Sequence, residues 1–385
     1  IKMFLGEIMK KLIIIFLIAS MLLNFFGCKK HTFSPENAQT EMLQVSTMEI
    51  LANTGEQDVC YGIEGLTTDE EYLVKNSIDM KENHCDTIDE YYNYLYFRSS
   101  KDATFEDFNI VSNVLIKYNG EYKGNVKIPE GVQKIYHMSF MSKDTNIIDS
   151  LYIPESVINI NRQINTFANV GNGNFKKYKV SEKNKYFSDL DGILCNKAKD
   201  VILKCPNYYE SEKYVIPDNI KKIDINAFEE TKMLKEVVFN DKLFYIPNGA
   251  FFRSSIERIT IPKNITVIGD GAFKDCTKLK EIVIESGVRY IGGGAFDSCS
   301  QLKSLEIPYT VEGFGGNLIQ NCDNLEYIII PSSVKKIDGK LYDEKWDYKY
   351  KGFLYVEKGS YAEKYVKENG YKYKYYDFEK NQVIS

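Results

Sequence analysis

The chain reads LKEIVIESGVRYIGGGAFDSCSQL from Leu279 to Leu302, and this pattern recurs through most of its length. Each copy has an anchor, the apolar residue that ends a strand-like segment and often precedes Pro. The anchors recur every 22 or 23 residues at Ile216, Phe239, Ile261, Ile284, Ile307 and Ile330. Ala-Phe pairs follow in one register at 227–228, 250–251, 272–273 and 295–296. These matched columns predict an array of repeated units.

One unit of this length cannot close a hydrophobic core, so neighbouring units must supply the partner surface. Alternate residues of its Leu-x-x-Ile-x-Ile strand point inward, and stacking at about 4.8 Å places equivalent residues above one another. The pattern therefore predicts a column of stacked rings, formed by Phe228, Phe251, Phe273 and Phe296. Gly269 and Gly292 are interpreted as turn residues with unusual backbone dihedrals.

The repeated columns resemble the BspA-like leucine-rich repeat, whose pattern is close to Leu-x-x-Ile-x-Ile-Pro-x-x-Val-x-x-Ile-Gly-x-x-Ala-Phe-x-x-Cys-x-x-Leu. The resemblance implies a β-rich repeat solenoid of about 23-residue coils, with short helical or 3-10 segments, over residues 107–339. Val114–Gly120 is similar to the family's N-terminal hairpin, with a type I′ turn at Asn119-Gly120. Residues 175–217 are similar to its long hairpin-bearing unit. Since proteins of this family are surface-exposed, the resemblance implies protein binding, in adhesion to host or matrix proteins or to other cells.

The N-terminus has the features of an export signal. If translation starts at Met9, the chain opens with Met-Lys-Lys and an apolar run over residues 12–23. A basic start and a short apolar run are typical of such signals, and a stable membrane span needs about 20 residues. Gly27-Cys28 resembles the end of a bacterial lipobox. Residues 1–27 are therefore interpreted as a signal peptide and Cys28 as the site of lipid attachment, which predicts an exported, membrane-anchored surface protein. An ordinary cleaved signal or an uncleaved anchor is the alternative.

Two segments separate this signal from the array. Residues 28–58 are rich in Ser, Thr, Gln and Glu and are interpreted as a tether. Residues 59–106 contain two capping-box patterns and an aromatic run, which indicate a small module. A less favoured alternative is an enzyme site among its titratable residues, His84, Asp86, Asp89 and Glu90. A helix start explains the same acids.

Residues 340–385 are predicted to form a C-terminal cap. Ser360-Tyr-Ala-Glu363 is a capping box and Asn369-Gly370 is a typical helix stop, so a short helix is expected between them. Residues 371–375 alternate Tyr and Lys, as a strand does. Such interleaving also suits a nucleic-acid platform. A polar end coil is favoured because solenoids need one for solubility.

Composition and motifs argue against several classes of function. Lys and Arg number 49 against 54 Asp and Glu, for a net charge of −5, so no basic surplus favours nucleic-acid binding. The sequence contains no His-Glu-x-x-His pattern, Walker loop or nucleophile elbow. We therefore expect a non-enzymatic protein with no catalytic residue, no cofactor and no metal site.

Besides Cys28, the cysteines fall into three groups, of which Cys195 and Cys205, in the long hairpin-bearing unit, are interpreted as packing residues. Cys276, Cys299 and Cys322 share one repeat column, and a ladder of parallel thiols does not converge tetrahedrally as zinc requires. They are interpreted as small buried apolar residues. Cys60 and Cys85 lie outside the array, in an exported module where a disulfide between them is plausible.

The outward positions of the repeated strands are the candidate ligand-binding residues, because an extended regular face is what repeat proteins use for binding. These residues are Glu236, Arg258, Thr260, Glu281, Val283, Ser304, Glu306, Tyr327 and Ile329. Their mixture of apolar, hydroxyl and charged groups does not name a ligand. A carbohydrate-capturing surface lipoprotein is the alternative, and it requires aromatic platforms on this face, for which only Tyr327 is suggestive.

Overall fold

The computed structural model describes residues 107–111, 113–135, 139–140, 146–160, 174–342, 350–380 and 382–384. The predictions for Cys28, the tether, the 59–106 module and the Cys60–Cys85 pair lie outside these residues. Within them, no helix has both the length and the apolar character of a membrane span.

The elements are almost all short strands, in keeping with a coil that turns every few residues. In chain order they are β1 (Phe108–Val111), β2 (Val114–Tyr118), β3 (Gly124–Lys127), β4 (Lys134–Ile135), β5 (Ile148–Ile153), β6 (Asn159–Ile160), β7 (Tyr178–Val180), β8 (Phe187–Leu190), β9 (Ile193–Asn196), β10 (Val201–Lys204), β11 (Lys213–Val215), β12 (Lys222–Ile223), β13 (Glu236–Val238), β14 (Tyr245–Ile246), β15 (Arg258–Ile261), β16 (Val267–Ile268), β17 (Glu281–Ile284), β18 (Tyr290–Ile291), β19 (Ser304–Glu306), β20 (Gly313–Phe314), β21 (Tyr327–Ile330), β22 (Lys336–Ile337), β23 (Phe353–Val356), helix α1 (Tyr361–Glu368), β24 (Tyr373–Asp377) and β25 (Gln382–Ile384).

Each regular coil contributes one strand to each of two parallel sheets. The longer strands form the front sheet, which has two hydrogen-bonded parts, β11-β13-β15-β17 and β19-β21-β23-β24-β25. The two-residue strands form the second sheet, β14-β16-β18-β20-β22. Pairing advances by one repeat, as Arg258 opposite Glu281 and Ile261 opposite Ile284 illustrate. The β-solenoid with roughly 23-residue coils is therefore confirmed.

A column of phenylalanine rings runs through the interior, as predicted. Consecutive rings of Phe228, Phe251 and Phe273 lie 5.1 Å apart at interplanar angles of 11° and 5°. Phe273 and Phe296 continue the stack at 5.7 Å and 7°. All four side chains are fully buried. The column persists because each coil places its Ala-Phe segment in register with the next, and the Phe273 N–H donates to the Ala295 carbonyl at 2.9 Å.

The cysteine column is buried, as expected, and it also supplies hydrogen bonds between coils. The thiols of Cys276, Cys299 and Cys322 contact the carbonyl oxygens of Phe251, Phe273 and Phe296 at 3.0–3.1 Å. Burial raises the pKa of the Cys276 and Cys322 thiols to about 12. They therefore stay protonated near neutral pH and can donate these bonds.

The interpretation of Gly269 and Gly292 is wrong. Positive φ angles fall instead on the glycines that precede the Ala-Phe pairs, Gly249 (59°), Gly271 (57°) and Gly294 (61°). A Cβ atom at Gly269 would lie 2.5 Å from the Asn248 side chain, and one at Gly292 would lie 2.4 Å from the backbone nitrogen of Asp270. Glycine is therefore required at 269 and 292 because neighbouring coils approach closely there.

The N-terminal hairpin differs from its prediction in the position of its turn. Strands β1 and β2 pair antiparallel, with Val111 opposite Val114, so the turn precedes β2 and Asn113 carries the positive φ of 66°. Asn119-Gly120 follows β2 instead. A Cβ atom at Gly120 would lie 2.6 Å from the Asp107 side chain, so close approach explains this glycine. The long hairpin-bearing unit is present as β8, β9 and β10, with adjacent strands antiparallel.

The helix predicted near the C-terminus is present as α1. The Ser360 hydroxyl accepts from the Glu363 N–H at 3.1 Å, which caps α1 as expected for a capping box. The Glu363 carboxylate accepts from the Gly359 N–H, Lys367 Nζ and the Tyr375 hydroxyl, each at 2.6 Å. The Lys367 bond, followed by the other two, lowers the pKa of Glu363 to about 2. One ionised carboxylate thus links the helix start to strand β24, which pairs with β23 and extends the front sheet.

Candidate functional site

The front sheet positions the predicted binding residues in two outward rows, because alternate side chains of a strand point to opposite faces. The first row runs along the starts of the strands and the second along the positions two residues later. Successive members of the first row are Lys213, Glu236, Arg258, Glu281, Ser304, Tyr327 and Phe353. Successive members of the second row are Val215, Val238, Thr260, Val283, Glu306, Ile329 and Tyr355. The candidate residues therefore share one face.

Charges alternate along the first row. Glu236 pairs in register with Lys213 and with Arg258, and Arg258 pairs in register with Glu281. The Lys213 ammonium lies 2.6 Å from the Glu236 carboxylate. Arg258 and Glu281 are exposed. Such cross-strand pairs contribute roughly 0.2–1 kcal/mol each, and they leave charged groups displayed toward solvent.

The second row presents apolar side chains to solvent in its first coils. Val215 is 58% exposed and Val283 is 46% exposed. Their strands belong to the same hydrogen-bonded part of the front sheet, β11-β13-β15-β17, as the strands that carry Val238 and Thr260. Hydrogen bonding between front strands is interrupted between β17 and β19. The front face is thus divided into two parts. The first, on β11–β17, displays charged and aliphatic side chains, and the second begins at β19.

Ile329 is not available as an outward binding residue, contrary to its prediction. It points out of the sheet but is only 7% exposed. Its neighbours in register are Glu306 on β19 and Tyr355 on β23. Both neighbours are large side chains, and at 7% exposure Ile329 leaves little surface for a ligand to contact.

This part of the front sheet also carries an aromatic cluster, defined here as Tyr309, Tyr327, Tyr355, Tyr376 and Phe378. Ring centroids lie 5.5 Å apart for Tyr327–Tyr355, 5.8 Å for Tyr355–Tyr376 and 4.9 Å for Tyr376–Phe378. Tyr309 closes the series against Phe378 at 4.9 Å and an interplanar angle of 83°. The five rings form one continuous chain of contacts on the outer face.

The Tyr309–Phe378 contact crosses the sheet. Tyr309 follows β19 and Phe378 follows β24, with β21 and β23 between them. Three strand spacings amount to about 14 Å, so the two rings must reach toward each other over the intervening strands. Tyr309 itself remains 48% exposed.

An acidic side chain borders the aromatic cluster. The exposed Glu306 carboxylate accepts from the Tyr327 hydroxyl at 3.3 Å. Burial, and after it the charge of Glu306, raises the pKa of Tyr376. Three further carboxylates, those of Glu357, Asp377 and Glu379, lie at the Phe378 side of the cluster. Aromatic faces and negative charge therefore occur together at this end of the front sheet.

The aromatic cluster was missed in the sequence because its rings come from unlike positions. Only Tyr327 occupies a repeat column that the sequence reveals as outward. Tyr309 lies in a turn, and the coil from Ile330 to its partner Val356 is 26 residues long, longer than the 22- or 23-residue spacing of the anchors. The register of Tyr355 and of Tyr376 could not be read without knowing where those extra residues are accommodated.

Neither a metal-ligand cluster nor an unpaired Lys204 competes with this face in the parts of the chain that the structure covers. Among the described residues, no three His, Cys, Asp or Glu side chains come together as metal ligands. The buried ion pair of Lys204 with Glu229, at 3.2 Å, is joined by a bond from Lys204 Nζ to the Asn226 carbonyl and so has a structural explanation.

Several solved structures are similar to this chain. A leucine-rich repeat protein from Eubacterium ventriosum is 24% identical, with a TM-score of 0.48 over 55% of this chain and 56% of that one. The pneumococcal vaccine antigen PcpA is 18% identical, with a TM-score of 0.40 over 65% of this chain and 67% of that one. A leucine rich cell surface protein from Faecalibacterium prausnitzii is 19% identical, with a TM-score of 0.30 over 65% and 98% of the two chains. The chain thus spans little more than half of the Eubacterium ventriosum protein.

None of the curated proteins matches this chain. The family model described as the BspA type leucine rich repeat region matches residues 118–191 and 204–323, in six copies that cover about half of the chain. The matched residues are those that form the stacked coils, including the stacked rings from Phe228 to Phe296. The chain therefore belongs to the BspA-type leucine-rich repeat family.

Proposed function

We propose that this chain is a non-enzymatic surface protein that binds a protein partner through its front sheet, in adhesion to host or matrix proteins or to other cells. The observation that carries the proposal is the outward display from Lys213 to Tyr355, which combines charged, aliphatic and aromatic side chains on the two parts of the front sheet. A preformed face of this kind loses little conformational freedom when it binds.

The energetics favour a contact that spans several coils. Front-face groups on β13, β15 and β17 are spaced at the strand separation of about 4.8 Å, so a standard protein interface of roughly 800 Å² per partner covers many of them at once. The alternating charges of Glu236, Arg258 and Glu281 suit a partner with the complementary order. They would act on the association rate and on the choice of partner.

Carbohydrate capture is a second candidate, and the aromatic cluster is the observation that favours it. Sugars pack their apolar faces on aromatic rings, and Tyr309 offers an exposed one. The Glu306 carboxylate could accept bonds from hydroxyl groups. Protein binding remains the first proposal because the aliphatic and charged rows extend over more coils than one sugar site would use.

Surface display is proposed to follow from the N-terminus. Residues 1–27 would be removed as a signal peptide, Cys28 would carry the lipid, and residues 28–58 would hold the solenoid away from the membrane. Residues 59–106 are proposed as a separate module and residues 340–385 as the cap. Mass spectrometry of the mature chain tests the anchor, and an N-terminus other than a lipid-modified Cys28 would contradict it.

The function is tested by measuring equilibrium binding of the purified full-length chain to a panel of matrix proteins and glycans. A protein ligand found in this way should lose affinity by about 1–3 kcal/mol when a front-face hot spot such as Arg258 is changed to alanine. Lys335→Ala is the matched control, because Lys335 is an exposed cation that precedes a strand of the second sheet. The proposal fails if the module of residues 59–106 alone retains full partner binding, or if the pure protein turns over a substrate.

A further inference from the structure

We infer that the aromatic cluster and Glu306 form a binding site for a cationic side chain, the guanidinium or ammonium group of a basic segment in a protein partner. The inference rests on the proposed function, since it names the partner chemistry recognised at one end of the front face. It assigns a distinct role to the part of the face beyond the interruption between β17 and β19.

The geometry of the rings suits a cation. The face of an aromatic ring is electron-rich and its edge is electron-poor, so a cation is attracted to the face. Tyr309 and Phe378 meet at 83°, which turns the face of one ring toward the edge of the other and forms a corner. A compact cation fits such a corner, whereas a pyranose ring packs best on an open flat ring face.

The carboxylate of Glu306 lacks a cation of its own. In the described ranges its hydrogen-bond partner is the Tyr327 hydroxyl, and no lysine or arginine lies within ion-pair distance of it. Glu236 on the same face differs, because its carboxylate lies 2.6 Å from the Lys213 ammonium. A cation from a partner would therefore supply at Glu306 what Lys213 supplies to Glu236.

The surroundings of Phe378 are also acidic. Asp377 and Glu379 flank it in the chain, and Glu357 lies close enough that burial, followed by these two charges, raises the pKa of its carboxyl. Lys380 compensates Asp377 in part, at 3.3 Å. This excess of negative charge favours a basic segment and disfavours an acidic one, because like charges brought together at an interface cost several kcal/mol.

The same face already holds one cation on a ring. Lys374 Nζ lies 4.1 Å from the centroid of the Phe353 ring, on the outer side of neighbouring strands β23 and β24. This contact occupies Phe353 and leaves the Tyr309 and Phe378 rings for a partner. It also demonstrates that ring faces on this sheet can be approached by an ammonium group from the solvent side.

The test uses two fluorescein-labelled octapeptides of the sequence Gly-Ser-Xaa-Gly-Ser-Xaa-Gly-Ser, in which Xaa is arginine or its uncharged isostere citrulline. Fluorescence anisotropy measures their binding to the full-length chain and to its variants. Glu306→Gln removes the charge without changing the shape, and Tyr309→Ala removes the exposed ring. Glu155→Gln is the matched control, since Glu155 is an exposed glutamate between β5 and β6, outside the candidate binding residues and the aromatic cluster. Thermal unfolding checks that each variant is folded.

We expect the arginine peptide to bind about tenfold more tightly than the citrulline peptide. Glu306→Gln and Tyr309→Ala should each weaken it by about fivefold, and Glu155→Gln should change it by less than about twofold. Raising the salt concentration should reduce the advantage of the arginine peptide, because the carboxylate is exposed and is screened.

Equal binding of the two peptides, or arginine-peptide binding that Glu306→Gln and Tyr309→Ala leave unchanged, would overturn the inference. An oligosaccharide that binds the chain and is lost in Tyr309→Ala, in the absence of arginine-peptide binding, would overturn it in favour of a carbohydrate site. These failures are distinguishable from failure of the proposed function, because the protein panel measures partner binding independently of the peptides.

Discussion

Replacing Phe273 with alanine should destabilise the solenoid strongly and locally. The ring is fully buried and lies between those of Phe251, at 5.1 Å, and Phe296, at 5.7 Å, so no side of it is accessible to solvent. Truncation of a buried Phe costs about 3–5 kcal/mol. Each stacked pair adds about 0.5–1.5 kcal/mol beyond burial, which places Phe273→Ala toward the upper end of that range.

The loss should be concentrated in the coils that contact residue 273. Contacts in a solenoid are made between neighbours, so the free energy of local opening falls most for coils 250–300 and less for distant ones. A reduction of about 4 kcal/mol corresponds to roughly a thousandfold loss of amide protection. Hydrogen exchange followed by mass spectrometry resolves this segment by segment, and urea unfolding gives the total.

Phe244→Ala is the matched control, because Phe244 is a phenylalanine of the neighbouring repeat, anchored at Phe239, and is 39% exposed. It should cost much less than Phe273→Ala and leave amide protection of the interior coils nearly unchanged. The reasoning is refuted if Phe273→Ala lowers protection uniformly from residue 107 to residue 380, or if it costs no more than Phe244→Ala.

Three further predictions concern other positions of the array and cap. The pKa of Glu363 is lowered from 4.5 to about 2, so its contribution to stability is complete above about pH 4.5 and is lost as the pH falls toward 2. Urea unfolding should therefore give Glu363→Gln a lower free energy of unfolding than the parent at pH 7 and an equal one at pH 2. Glu368→Gln, at an exposed residue of the same helix, is the control. Gly269→Ala should lower the free energy of unfolding by more than about 1 kcal/mol, because the added methyl group overpacks neighbouring coils. Gly294→Asn should leave the thermal unfolding temperature nearly unchanged, since Asn226 and Asn317 hold the same positive φ. A larger loss of stability in Gly294→Asn than in Gly269→Ala would contradict the account of these glycines. Burial raises the pKa of the Cys276 and Cys322 thiols from 9.0 to about 12. They should therefore resist alkylation by iodoacetamide at pH 8 until the chain unfolds, and the free energy of unfolding should fall as the pH rises above about 9. Rapid alkylation of either thiol in the folded chain, mapped by mass spectrometry, would disprove this.

Periodicity made the array and its interior predictable. The columns that hold Phe228, Phe251, Phe273 and Phe296 fix both the coil length and the residues that stack, because register in such a fold advances by one repeat. The capping box at Ser360 was equally informative, since it acts through residues close in sequence. Features that depend on one unit or on local chemistry were therefore read from the sequence correctly.

Features that depend on how distant segments meet could not be read from the sequence. The Tyr309–Phe378 contact joins residues 69 positions apart across a coil of irregular length, and no repeat column relates them. Ile329 was misread for the same reason, because its exposure depends on neighbouring side chains contributed by other segments. Gly269 and Gly120 illustrate a further gap: a glycine required by close approach looks the same in the sequence as one required by a positive φ.

The most direct test of the central claim compares charge reversal on two faces of the solenoid. The front-face variant carries Glu236→Lys, Arg258→Glu and Glu281→Lys, and the control carries Arg289→Glu and Glu312→Lys, which reverse an ion pair beside the second sheet. Surface plasmon resonance then measures binding of the full-length chain to the protein ligand found in the panel. The account predicts that the front-face variant loses at least about thirtyfold in affinity, partly through a slower, salt-dependent association rate, while the control stays within about twofold of the parent. Equal loss in the two variants, or loss confined to the control, would contradict it.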